Sequence, residues 1–152
     1  MYTRIVVDYH PQKDDLNRVR ITMGGNLTNY PYELTTRTAD LTLSKMLWNS
    51  TISTPEAYFC TADVKIFYLE TPMERYEYMR MHMKLIPEEI IDLYNLHDKV
   101  KGEYSYMEIR AGMYGLPQAG RLANNLLHKN IAKHGYYEQP HTPGLWKHET
   151  RC

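Results

Sequence analysis

The 152-residue sequence has no apolar run approaching the roughly 20 residues that a membrane-spanning helix needs. Its mean hydropathy is −0.59. The first residues, MYTRIVVDYH, do not combine a basic segment with a following apolar stretch, so no secretory signal is predicted. Charge of one sign is also missing, because 18 Lys and Arg balance 18 Asp and Glu. A cytoplasmic or nuclear protein without a membrane partner is therefore expected.

Cysteine and phenylalanine are both scarce. The two cysteines, Cys60 and Cys152, can form at most one disulfide and match no metal-binding spacing, so both are predicted to be free thiols. Only two phenylalanines accompany fourteen tyrosines. A buried tyrosine needs a hydrogen-bond partner for its hydroxyl. The tyrosines therefore suit half-buried strand positions, although a tyrosine-rich surface would also favour stacking.

The composition is otherwise ordinary for a folded chain of one domain, with 43% hydrophobic and 24% charged residues. Two β-branched runs, RIVVDY (4–9) and RVRITM (18–23), predict a hairpin with a polar tip. Helices are predicted over 39–50 after Thr38 as N-cap, from Pro87 onward, and over 117–134. Strands are predicted over 57–62, 77–83, 103–109 and 144–148, with 77–83 paired to 103–109 across the short helix.

Asp63 follows the apolar run AYFCTA directly. Because an ionised carboxylate is costly to bury unless it is paired or bound to a cation, Asp63 is a candidate metal ligand. The alternative is an aspartate that begins a turn or caps the next helix.

A second candidate segment is GMYGLPQAGR (112–121), in which two glycines precede a helix that opens with Pro117 and Gln118. A glycine loop of this kind lets a ligand approach the backbone, but the spacing matches neither a dinucleotide nor a phosphate-loop fingerprint. Ordinary use as a turn is the alternative. Likewise, Arg18 and Arg20 on the first hairpin could bind phosphates or could simply be solvated.

The order of these features is more informative than any one of them. A basic hairpin is followed by GGN (24–26), a helix, TADVKIFYL (61–69), MYGLPQAGR (113–121) and HTPGLWKH (141–148). In this order they resemble the fingers and palm of the reverse transcriptase of an LTR retrotransposon, most closely the copia type. The resemblance covers almost the whole chain. It implies an α+β fold, with fingers-like residues 1–55 and a partial antiparallel palm sheet with its helices over 56–152.

The resemblance implies a metal site at the first motif. The family's first catalytic aspartate falls on Asp63, whose carboxylate would bind two Mg²⁺ ions, and Val64 would offer its backbone carbonyl to one of them. Nucleotidyl transfer depends mainly on positioning and on charge neutralisation by the two ions. Mg²⁺ prefers hard oxygen ligands, which explains an aspartate at this position.

The resemblance also implies nucleotide-binding residues. Tyr68 would lie under the incoming sugar and exclude a ribose 2′-hydroxyl, although the position also fits a core packing residue. Gln118 and the loop beginning with Gly115 would pack on the new base pair and the primer end. Arg20 would contact the triphosphate, and Lys13 is a weaker match to the same role. The implied partners are an RNA or DNA template–primer and a deoxynucleoside triphosphate.

One departure from the family limits these expectations. The second carboxylate motif, Tyr-x-Asp-Asp, does not occur among the 152 residues, and the only Asp-Asp pair is Asp14-Asp15 in the first hairpin. A truncated polymerase fragment that is inactive alone and self-associates through exposed strand edges is therefore expected. The alternatives are a residual nucleic-acid-binding protein without catalysis and a small tyrosine-rich module that binds a protein partner.

Overall fold

The computed structural model describes residues 1–12, 14, 16–36 and 38–150. These residues form a mixed α+β structure with antiparallel sheets and three α-helices. The predictions for Lys13 and Cys152 lie outside the described residues. The strands are β1 (Thr3–Tyr9), β2 (Asn17–Met23), β3 (Pro72–His82), β4 (Val100–Lys101), β5 (Tyr104–Ala111), β6 (Tyr136–Glu138) and β7 (Trp146–His148). The helices are α1 (Leu41–Ser53), α2 (Glu88–Leu93) and α3 (Ala119–Ala132).

β1 and β2 form the predicted hairpin as a two-stranded antiparallel sheet. Its register places Ile5 opposite Ile21 and Val7 opposite Val19. These four side chains share one face because successive residues of a strand point to opposite sides. All four are exposed, by 40 to 62%. The hairpin therefore presents an uncovered apolar face.

β3, β5 and β4 form the central three-stranded sheet in that order. β3 and β5 are antiparallel and are connected through α2, which confirms the predicted pairing of 77–83 with 103–109. Met73, Met79 and Met81 of β3 and Ile109 of β5 are buried in the core. The opposite side of the same strands faces solvent. The core of the protein thus lies under one face of this sheet.

The helices differ in how much they bury. α3 places Ala119 and Ala123 in the interior, which confirms a helix within the predicted 117–134. α1 is capped by Asp40, whose carboxylate accepts a hydrogen bond of 2.7 Å from the Leu43 amide, so the prediction of Thr38 as N-cap was wrong. α1 buries none of its residues. Within the described residues, no helix is both long and apolar enough to cross a membrane.

The predicted strand over 57–62 is wrong. Residues 57–64 have no regular secondary structure and are exposed. The run is apolar, but a strand also needs a neighbour for its backbone N–H and C=O groups, and no other strand pairs with it in the described part of the chain. Consequently Asp63 does not follow a buried strand.

The surface of the protein is large for its mass. Its solvent-accessible area is 11991 Å². A compact monomer of 18.0 kDa would expose about 8,000 Å². The excess agrees with the apolar side chains left uncovered on the hairpin and on α1.

Candidate functional site

Two glycine-containing segments that are far apart in the sequence pack directly against each other. Gly115 has φ +89°, and a Cβ there would overlap the backbone carbonyl of Met23 at the end of β2. A Cβ on Gly25 would in turn overlap the carbonyl of Gly115. The amide of Met23 donates a 2.8 Å hydrogen bond to the carbonyl of Tyr114. The loop after β5 is therefore held on the hairpin, and this close approach requires glycine at both positions.

Tyr114 is the residue at which the predicted site residues meet. Its ring packs edge-on against the ring of Tyr68, with the two centroids 5.6 Å apart. The guanidinium carbon of Arg20 lies 5.9 Å from the Tyr114 ring centroid, within cation–π range. We call Arg20, Tyr68 and Tyr114 the Tyr114 cluster. It joins three segments that carry the resemblance.

Tyr68 is fixed within this cluster by backbone contacts. It lies in a turn in which the Thr71 amide donates to the Tyr68 carbonyl at 3.0 Å. The Gly112 amide donates to the Thr71 carbonyl at 2.7 Å, and a Cβ on Gly112 would overlap the Tyr68 carbonyl. Tyr68 is partly buried against the core. It therefore has a packing role in addition to its place in the cluster.

Arg20 is oriented by a carboxylate as well as by the Tyr114 ring. Its Nη2 forms an ion pair with Asp8 on the neighbouring strand, and each of the two side chains is about one-third exposed. Its Nε is buried and has no hydrogen-bond partner among the described residues. An arginine presents five N–H donors in a fixed planar fork that matches phosphate oxygens. The guanidinium of Arg20 is thus oriented and partly exposed, and an anion would compete with Asp8 for it.

Gln118 lies in the interior rather than at a surface. It is 1% exposed, and its Nε2 donates to the Glu77 carboxyl at 3.4 Å. Its Oε1 is buried without a hydrogen-bond partner in the described part of the chain. The structure therefore places Gln118 under the sheet, three residues beyond Gly115. In this position its amide is covered by protein atoms.

Asp63 and Val64 are not joined to the Tyr114 cluster. Both residues are exposed, and the Asp63 carboxylate makes no hydrogen bond or ion pair with the described residues. The described residues contain one group of three side chains close enough to hold a metal ion, namely the exposed Glu88, Asp92 and His97. That group does not include Asp63. The arrangement does not fit a two-metal centre at Asp63, where a single carboxylate stands alone.

No protein-family model matches this chain, and neither does any curated protein or solved structure among those compared. The support for the Tyr114 cluster as a site is therefore its geometry. Sequence reasoning found Arg20, Tyr68 and Gly115, but it did not identify Tyr114 itself. The signal that could have found it is its position between Met113 and Gly115 in the same motif. Its contact with Arg20 depends on the packing of two distant glycine loops.

Proposed function

We propose that this chain forms the fingers and part of the palm of a reverse transcriptase, with the Tyr114 cluster as its nucleotide-facing surface. The observation that carries the proposal is the meeting of Arg20, Tyr68 and Tyr114. They come from the hairpin, from TADVKIFYL and from MYGLPQAGR, which are the three segments that resemble the family. Segments that serve one nucleotide site are expected to converge in this way.

Each member of the cluster has chemistry suited to a nucleoside triphosphate. Arg20 provides a positive charge and paired N–H donors for phosphate oxygens. The Tyr68 ring provides an apolar surface for a sugar. Gly115 holds the loop against the hairpin and so sets the position of Tyr114. These residues would bind and orient a nucleotide.

Nucleotide binding by the cluster can be tested with the isotope-labelled 152-residue chain. We expect addition of a deoxynucleoside triphosphate to shift the NMR amide signals of Arg20, Tyr68 and Tyr114. Arg20→Gln should weaken this binding about 10- to 100-fold, because a hydrogen bond to a charged group contributes about 1.5–3 kcal/mol. Arg18→Gln is the matched control, since it removes the same charge from an exposed position of the same strand. Equal affinities of the two variants would contradict the proposal.

The chain alone is expected to add no nucleotide to a primer on an RNA template. Transfer by the two-metal route requires carboxylates that hold both ions, and Asp63 stands alone in the described structure. The measurement is primer extension with Mg²⁺ and all four deoxynucleotides. Mg²⁺-dependent extension that disappears in Asp63→Asn would show that this expectation is wrong.

A protein-binding module without catalysis is the second candidate. It is favoured by the uncovered apolar face of the hairpin, formed by Ile5, Val7, Val19 and Ile21. A face of this kind can be covered by a partner or by a second copy of the chain. The NMR experiment separates the two candidates, because a module of this kind would give no response to a nucleoside triphosphate.

A further inference from the structure

The solvent-facing side of the central sheet carries tyrosine and arginine instead of aliphatic residues. Along β3 and β5 it presents four tyrosines and two arginines, which we call the tyrosine face: Tyr76, Tyr78, Arg80, Tyr104, Tyr106 and Arg110. The register aligns Arg80 with Tyr106 across the two strands. The aliphatic and methionine side chains of these strands lie on the opposite, core-facing side. The tyrosine face shares no residue with the Tyr114 cluster.

Tyr78 and Tyr106 are the open rings of this face. They are 58% and 56% exposed, and neither ring stacks on another ring or on a cation among the described residues. Tyr78 is paired with Glu108, so Tyr106 is its diagonal neighbour on the adjacent strand. Diagonal positions of an antiparallel pair are roughly 7–8 Å apart. The face therefore offers two separate aromatic platforms side by side.

The two arginines are held beside these platforms. The guanidinium of Arg80 lies 5.0 Å from the Tyr104 ring centroid, and that of Arg110 lies 5.6 Å from the Tyr76 ring centroid. Both guanidinium groups therefore lie beside an aromatic ring at the surface. Lys101 of β4 adds a third positive charge opposite Tyr104.

Three carboxylates lie on or beside this side of the sheet: Glu108 and Glu103 are engaged, and the exposed Glu74 lies near the start of β3. Arg110 donates to one oxygen of Glu108 at 2.6 Å, and the Tyr78 hydroxyl donates to the other at 3.1 Å. The hydrogen bond from Arg110 lowers the pKa of Glu108, and the hydrogen bond to Glu108 raises the pKa of Tyr78. Arg110 is thus neutralised by Glu108, whereas Arg80 and Lys101 form no ion pair with a carboxylate among the described residues. Next to the face, His82 contacts Glu103 at 3.3 Å.

We propose that the tyrosine face binds single-stranded nucleic acid, with bases stacked on Tyr78 and Tyr106 and phosphates on Arg80 and Arg110. Exposed aromatic residues on a sheet, interleaved with basic residues, are the arrangement by which proteins bind unpaired bases. Protein interfaces are also enriched in tyrosine and arginine, so a protein partner is the competing occupant, and failure of both oligonucleotides to bind would favour it.

A recess at the end of the face supports this assignment. A cavity of about 240 Å³ is lined by Tyr2, Arg80, His82 and Tyr104, among others. It combines two aromatic rings with a guanidinium and an imidazole, which are groups that stack on a base or donate to a phosphate. A nucleic-acid strand whose bases stack on Tyr78 and Tyr106 can therefore continue beyond Arg80.

The test is binding of a fluorescent oligouridylate or oligothymidylate of about 12 nucleotides, a length within the range covered by single-strand-binding sheets. Fluorescence anisotropy is measured in EDTA without free nucleotides, and the variants of the tyrosine face leave the Tyr114 cluster unchanged, so their effects report on the tyrosine face. Tyr106→Ala is expected to weaken binding about 5- to 100-fold, since stacking contributes about 1–3 kcal/mol per base. Tyr106→Phe should retain affinity, because it keeps the ring. Tyr94→Ala is the matched control, as Tyr94 is 57% exposed outside the face.

The charge contribution is measured in a salt series. Arg80→Gln should weaken binding and reduce the slope of log K against log salt by about 0.7, whereas the exposed Lys133→Gln should not. Melting curves verify that each variant is folded. Tighter binding of the oligouridylate or of the oligothymidylate shows whether the ligand is RNA or DNA, and either result supports the proposal. The proposal is overturned if neither oligonucleotide binds, if Tyr106→Ala and Tyr94→Ala bind alike, or if duplex binds as tightly as single strand.

Discussion

Gly115→Ala is expected to lower the free energy of unfolding by about 2–5 kcal/mol, the sum of left-handed backbone strain and a steric overlap. Gly115 has φ +89°, and the added Cβ would meet the carbonyl of Met23. Relief of that overlap would separate the loop from the hairpin, so Tyr114 would also lose its contact with Arg20. Urea denaturation followed by circular dichroism measures the first effect, and the NMR signals of Arg20 measure the second.

Gly102→Ala provides the control for this prediction. Gly102 also has positive φ, at +68°, but a Cβ there would meet no described residue within 4 Å apart from its own chain neighbours. It should therefore lose only the strain contribution, about 1–2 kcal/mol. If both variants were destabilised equally, the contact between the Gly115 loop and β2 would have no energetic role.

Gln118→Leu is expected to destabilise the fold by about 2–4 kcal/mol, because it leaves the buried Glu77 carboxyl without its donor. The two side chains face each other at 3.4 Å beneath the sheet, and both are buried. The double variant Glu77→Leu with Gln118→Leu should be more stable than Gln118→Leu alone, since it removes both polar groups. Urea denaturation gives the free energy of unfolding of the wild type, both single variants and the double variant, which together form a double-mutant cycle. A double variant that simply adds the two single effects would show that the groups do not interact.

The parts of the fold that sequence patterns predicted are those governed by local geometry. Residues 77–83 and 103–109 alternate between apolar and polar, and this period of two fixes which side of each strand is buried. The apolar spacing within 117–134 similarly predicted α3, which buries Ala119 and Ala123. In these elements the residue pattern and the packing give the same result.

The features that the sequence did not predict correctly depend on contacts between distant segments. The run 57–62 has the composition of a strand, but a strand also depends on a neighbour, and composition does not reveal one. The pairing of Gln118 with Glu77 and the contact of Arg20 with Tyr114 join residues far apart in the sequence. For the same reason, the motif order predicted Arg20 and Tyr68 as site residues without indicating that both meet Tyr114. Asp63 shows the converse. The sequence motif that predicted a metal ligand is present, but the structure leaves this residue exposed.

The exposure of α1 has a consequence for the dynamics of the chain. Because this helix of 13 residues buries none of its side chains, opening it breaks few tertiary contacts. Isolated helices of this length are marginal in water, so its stability rests largely on its own hydrogen bonds and on the Asp40 cap. The Trp48 ring of this helix packs edge-on against Phe59, which belongs to another exposed segment. We therefore expect residues 41–64 to open at a lower free energy than the β3–β5 sheet, which hydrogen exchange of the backbone amides would show.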